Sequence, residues 1–179
     1  GIPMEDLFIQ AIGFLGLISF LLSYQFKSNR ALFAFHTLGA ILFATQYALL
    51  GAATGCLSQA LKVVRSALMV KYKDWQWLHS IAFPIGFSLL YVAVAVFTWT
   101  GPLSLMVLAA SVASTFFFWT DNAKIIRLSC LVFICPCWLI YAICNGSWGG
   151  IINELVAVGS ILVSIYRFGW KALGEPQKK

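Results

Sequence analysis

Charge is scarce in this chain. Only 10% of its 179 residues are charged, and the acidic ones number six against twelve Lys and Arg. A soluble domain carries roughly 25% charged residues. Hydrophobic residues make up 61%, more than a soluble domain of this length can hide in one core. The few acids form no carboxylate pair. Histidine occurs only twice, and the five cysteines are odd in number with no zinc or redox spacing: Cys135-Pro136-Cys137 is C-P-C, not C-x-x-C. No G-x-S-x-G elbow and no phosphate-cradling P-loop occurs. These absences argue against an enzyme, a metal centre, a cofactor and an ATP-driven machine. A net charge of +6 suggests nucleic acid only until the charges are located. No Lys/Arg stripe interleaves with exposed aromatics, so nucleic acid is discounted. No cleavable signal peptide is evident, because the first apolar run is full length and lacks a basic flank ahead of it. Gly1-Ile2-Pro3 ahead of Met4 reads as a tag remnant.

What remains is hydrophobic sequence, with a mean hydropathy of +0.88. Seven apolar segments can be marked: Leu7–Tyr24, Ala31–Leu50, Gly51–Val70, Leu78–Trp99, Leu103–Thr120, Ile125–Cys144 and Gly150–Trp170. About 20 helical residues span the roughly 30 Å of a bilayer core. The expectation is an all-α membrane protein with seven transmembrane helices. Lys27, Arg30, Lys71, Lys73, Lys124 and Arg127 follow segments one, three and five. Arg167, Lys171, Lys178 and Lys179 follow segment seven. Loops after segments two, four and six hold no Lys or Arg. By the positive-inside rule the N-terminus is outside and the C-terminus is cytoplasmic. Trp75, Trp77, Trp99, Trp119 and Trp148 are expected at the membrane interfaces. Asp74 and Asp121 are expected in water, and the cysteines as small core residues.

The stretch Gly51–Lys71 breaks the pattern. Lys62 stands near its middle and Arg65 one turn later. A cation at that depth costs about 2.5–3.5 kcal/mol on insertion scales, so such residues usually face a bundle interior or a wet cavity. The alternative is that both snorkel to one surface. Gly51, Gly55 and Gln59 stand four apart, and Gly146, Gly150 and Glu154 repeat that spacing. One unit therefore looks duplicated. Residues 1–6 form a lead-in, 7–77 a first three-helix bundle, 78–102 a linker helix, 103–171 a second bundle and 172–179 a cytoplasmic tail. An odd linker gives both triplets the same orientation, a 3+1+3 plan of parallel repeats.

Several of these residues carry a resemblance. Gln10-Ala11-x-Gly13, Leu50-Gly51 with Ser58 and Arg65, and Cys137-Trp138-x-Ile140 are part of it. Gly146-Ser147-x-Gly149-Gly150, Glu154 and Arg167-Phe168 complete it. Together the chain resembles the YgjV-type family of bacterial inner-membrane proteins, which is similar to the group containing the SWEET sugar transporters and PnuC vitamin transporters. The resemblance implies a multi-pass protein of the bacterial inner membrane on the three-plus-one-plus-three plan. SWEET-like carriers place an amide midway along the third helix of each bundle; Lys62 stands there in the first, and the apolar Ala157–Gly159 in the second. Tyr47 and Tyr141, with Trp138 near, match the aromatic residues that line a SWEET-like site. Of the gating prolines only Pro136 has a counterpart.

Lys62 and Glu154 enter from the outer side at depths about one turn apart, and would meet if segments three and seven face each other. With Gln59, Asn153 and Arg65 they would line a central polar site, and Tyr47, Trp138 and Tyr141 would either stack against a flat solute or pack the helical core. A structural pair is the plainer alternative. His36, about one turn into segment two, is a candidate proton relay with Glu154, or an interfacial hydrogen-bonder. The expected function is a small-molecule transporter working by alternating access, with the lipid bilayer and a small polar solute as partners and oligomerisation left open. A non-transporting membrane scaffold is the alternative.

Overall fold

Lipid offers a peptide group no hydrogen-bond partner, so an apolar run that enters it must satisfy its backbone internally, as a helix. The computed structural model describes residues 3–50, 53–99, 101–144 and 148–177, the side chains of 53–55, 142 and 148–150 excepted. Among these residues every regular element is helical. Gly1, Gly51, Gly146, Lys178 and Lys179 lie outside the described residues, as does the side chain of Trp148, so the paired glycine spacings cannot be followed there.

Helix α1 spans Met4–Ser23, with Glu5 and Asp6 in its first turn, where the helix dipole favours acids. Helix α2 spans Asn29–Leu49, and the Ser28 side chain accepts from the Ala31 amide at its start. Helix α3 covers Ala53–Val70. The fourth apolar segment is not one helix. Gln76–His79 forms a 3₁₀ turn, and α4 runs only over Ala82–Phe97. Pro84 falls in the first turn of α4, where its missing N–H has no helical acceptor to lose. Helix α5 covers Ser104–Phe118. The sixth segment starts earlier than expected, at Ala123, because the Asn122 side chain caps the Lys124 and Ile125 amides. It runs as α6 (Ala123–Ser129), a π turn (Cys130–Ile134) and α7 (Cys135–Cys144). Pro136 explains the π turn: it has no N–H for the Val132 carbonyl, and its ring would strike that carbonyl in an α-helix. Helix α8 spans Trp148–Phe168 and stops at Gly169, whose φ of 86° suits glycine. A last turn, α9 (Trp170–Leu173), folds back and buries Leu173.

Among the described residues four spans are long and apolar enough to cross a membrane: Met4–Ser23, Asn29–Leu49, Ala123–Tyr141 and Ile151–Phe168. Ala82–Phe97 and Ser104–Phe118 are apolar but shorter. Neighbouring helices trace a closed ring, α1–α2–α3–α4–α5–α7–α8 and back to α1. In each half the middle helix, α2 or α7, packs on both its companions. The outside of the ring is apolar: Phe14, Leu89, Val132 and Leu162 each expose more than half their surface. Patches of that kind are a liability in water and the natural exterior of a protein in lipid.

The α1–α2 contact depends on small residues. A Cβ on Gly16 would come within 2.9 Å of the Phe43 ring, whereas one on Gly13 would meet only the mobile amide end of Gln46. Gly16→Ala is therefore expected to lower the melting temperature by about 2–8 °C, corresponding to roughly 1–2 kcal/mol of overpacking. Gly13→Ala should shift it less, because Gln46 can turn away at the expense of its 3.3 Å bond to the Ile9 carbonyl. Thermal unfolding of the two variants side by side checks the order.

The basic end of the ring is held by polar groups that the sequence assigned to water. Arg127 is fully buried, not in a loop. Its Nη2 donates to the carbonyls of Tyr24 (2.8 Å) and Phe26 (2.9 Å), and its Nε to Ser164 Oγ (2.9 Å). It thus caps the C-terminal end of α1 from α6. Gln25 donates to Ser160 of α8 and accepts from Arg167. Trp119 is buried too, its Nε1 donating to the Leu78 carbonyl at 2.7 Å, so it is a core residue and not a belt residue. Trp75 and Trp77 are exposed and stacked on each other, as interface anchors would be. Asp74 is exposed and pairs with Arg30 at 3.0 Å.

Asp121 differs from Asp74. Its side chain is only 11% exposed, and it accepts from Asn29 Nδ2 while Lys73 lies 4.0 Å away. Burial outweighs these partners and holds the Asp121 carboxyl above its ordinary range. A carboxyl raised in the folded state binds its proton more tightly there than when unfolded. Stability from this group is therefore greatest at low pH and declines as pH rises from about 4. Asparagine tolerates the φ of 52° at this position and removes the titration. The melting temperature of Asp121→Asn relative to the natural protein should thus rise between pH 4.5 and pH 7.5; a difference that stays flat or falls would contradict this.

A polar cavity inside the helix ring

The ring encloses a cavity of about 320 Å³. Every site residue named from the sequence lines it: Gln59, Lys62 and Arg65 from α3, His36 and Tyr47 from α2, Trp138 and Tyr141 from α7, and Asn153 and Glu154 from α8. Helical periodicity makes this convergence possible. Gln59 and Lys62 are three apart and Arg65 three further, so all three point along one face.

The two α3 cations are held differently. Arg65 is 3% exposed and crosses to α5. Its Nη1 donates to Ser114 Oγ and Thr115 Oγ1, both at 2.9 Å, and its guanidinium lies 5.7 Å from the Tyr91 ring and 5.6 Å from the Phe118 ring. Ser111, Ser114 and Thr115 are the partners that sequence reading missed. Their i, i+3, i+4 spacing in an otherwise apolar run was the available signal. Lys62 has no such partner. Its ammonium sits 4.3 Å from the centroid of the Phe20 ring, a cation–π contact, and no ion pair within 4.0 Å joins it to Glu154. The expected meeting of Lys62 and Glu154 is thus absent. The physical reason is the ring order: α3 and α8 are not adjacent, so their side chains face each other across space. Asn153 donates weakly to Glu154 Oε1 at 3.4 Å.

His36 is 2% exposed and stands among the rings of Phe20, Tyr24, Phe33 and Phe118 at 5.2–6.2 Å. Neither ring nitrogen has a hydrogen-bond partner among the described residues, and Gln59 Oε1 is likewise buried without one. Trp138 and Tyr141 meet edge to face at 6.0 Å. Cys130 and Cys135 also line the cavity, the former 3.7 Å from the Tyr24 hydroxyl, and both are buried as expected; Cys144 is exposed and is no core residue.

A second cavity of about 300 Å³ adjoins the first, and Ser58, Tyr91, Val107, Ser111 and Tyr141 line both. Of its other lining residues, Val94, Thr98 and Ser104 lie toward the end of the ring whose α4–α5 loop has no Lys or Arg. Toward the basic end the way is filled by buried Phe33 and Phe118 around His36, with Arg127 and Trp119 below. The second cavity extends the polar lining toward the uncharged end, and buried side chains pack the basic one.

An apolar-surfaced ring of helices around a polar interior defines a multi-pass helical membrane protein. Residues 7–172 match the family model Imp-YgjV, described as bacterial inner membrane protein. The chain belongs to that family, and its place is the bacterial inner membrane. No curated protein and no solved structure matches it.

Proposed function

We propose that this chain is a carrier, not an enzyme, that moves a small polar solute across the bacterial inner membrane by alternating access. Seven crossings carry it, N-terminus outside and C-terminus inside, as two parallel three-helix repeats joined by α4 in the SWEET-like manner. The observation that carries the reading is the cavity: two cations and a carboxylate line one space inside a ring of apolar helices. Charges at that depth are expensive and mark solute or ion pathways by default. The matched packing of α2 and α7 supports the repeat, and the basic loops support the orientation. The spread of cavity lining toward the uncharged end supports an outward-facing state, with buried Arg127 and Trp119 packing the cytoplasmic side. Facilitated diffusion is the simplest mechanism.

The test is uptake of a panel of labelled amino acids, nucleosides, vitamins and sugars into proteoliposomes holding the purified chain. Uptake of at least one solute above empty vesicles, saturable and reduced in Glu154→Gln, is expected. A flat result across the panel, with protein shown to be folded in the same vesicles, would reject the carrier and leave the scaffold.

A further inference from the structure

We infer that the cavity's solute is a small zwitterion of amino-acid type, its carboxylate on Lys62 and its ammonium group on Glu154; the purpose of such a site rests on the carrier reading above. Lys62 and Glu154 line the same space yet make no ion pair within 4.0 Å. In a low-dielectric interior, opposite charges attract strongly. Here the backbone holds them apart, since α3 and α8 are separated in the ring. Arg65, one turn from Lys62, adds a second positive charge on the same wall, so that wall suits an anion. The neutral groups agree. His36, 2% exposed, has both nitrogens unpartnered at the cavity, and Gln59 Oε1 is an acceptor without a donor. Buried polar atoms are normally satisfied, and these are satisfied by a ligand that brings both donors and acceptors. Phe20 and Trp138 supply apolar walls, and about 320 Å³ is at the small end of ligand pockets. A neutral sugar would leave both charges unmatched. A simple anion would leave Glu154 facing it, and a simple cation would face Lys62 and Arg65. Only a solute with both signs answers both walls.

The full chain in lipid nanodiscs is heated with glycine, phenylalanine or tryptophan, and with three analogues of phenylalanine: 3-phenylpropionate, 2-phenylethylamine and 3-phenylpropanamide. At least one amino acid is expected to raise the melting temperature by about 5 °C at saturation, with every analogue giving less. Lys62→Met should abolish the shift, and Glu154→Gln should remove the advantage of the zwitterion over 3-phenylpropionate. No shift from any of the three amino acids, or an equal shift from the neutral amide, overturns the proposal. Should the variants fail to fold, the ligand series on the natural protein still decides. Labelled amino acid and glucose uptake into proteoliposomes separates the two levels. A shift without uptake keeps the site and rejects the carrier; glucose uptake without any amino-acid shift keeps the carrier and rejects the zwitterion.

Discussion

Arg127→Met is expected to lower stability by about 3 kcal/mol, seen as a fall in melting temperature of about 6–12 °C. The fall comes from what the guanidinium leaves behind. Tyr24 and Phe26 each present a carbonyl to Nη2: Tyr24 is the C-cap of α1, where no helical N–H is left to satisfy it, and Phe26 lies in the loop that follows. A buried acceptor without a donor costs about 1–3 kcal/mol. The positive charge at that helix end is lost as well, and the dipole no longer meets a cation. Methionine matches the stem in bulk, so the change isolates polar satisfaction from packing. Arg127→Lys should recover only part of the loss. A single ammonium cannot spread over Tyr24, Phe26 and Ser164 as a planar fork does. Equal melting temperatures for the natural protein and Arg127→Met would show that the α1 carbonyls find other donors.

The helices were legible because lipid imposes one solution on an apolar run of about 20 residues. Lys62, Arg65 and Glu154 were legible as interior groups for a related reason: few places in a membrane tolerate them. Depth could be read from rise per residue, but direction around the ring could not. That is why a meeting of Lys62 and Glu154 depended on how their helices face each other, and no ion pair within 4.0 Å joins them. Arg127 shows the opposite limit. Near a loop, a basic residue normally snorkels to water and serves the positive-inside rule. The carbonyls of Tyr24 and Phe26, about a hundred residues away in the chain, and the Ser164 hydroxyl turn it inward. Asp121 is largely covered for the same kind of reason, by Asn29 at the start of α2 and Lys73 from the loop after α3. The π turn was within reach, since Pro136 sits inside the sixth run and a proline there must disturb the helix.

Lys62→Met is expected to raise the melting temperature by a few degrees while cutting uptake at least tenfold. A charge kept for structure is paired, and removing it loosens the fold. Arg65 fits that description: it bonds Ser114 and Thr115 and joins α3 to α5, so Arg65→Met should melt lower than the natural protein. Lys62 bonds nothing among the described residues and rests on the Phe20 ring alone. A cation–π contact returns about 0.5–2 kcal/mol, less than the roughly 2.5–3.5 kcal/mol that a cation costs at depth. An apolar side chain of similar length removes that deficit. On the carrier reading proposed above, the residue is a source of instability that a bound solute offsets, the usual relation between a functional site and the fold that carries it. Melting curves and uptake measured on the same preparation separate the cases. A lower melting temperature for Lys62→Met, alongside unchanged uptake, would place this ammonium with Arg65 as a structural group and leave the cavity without its central charge.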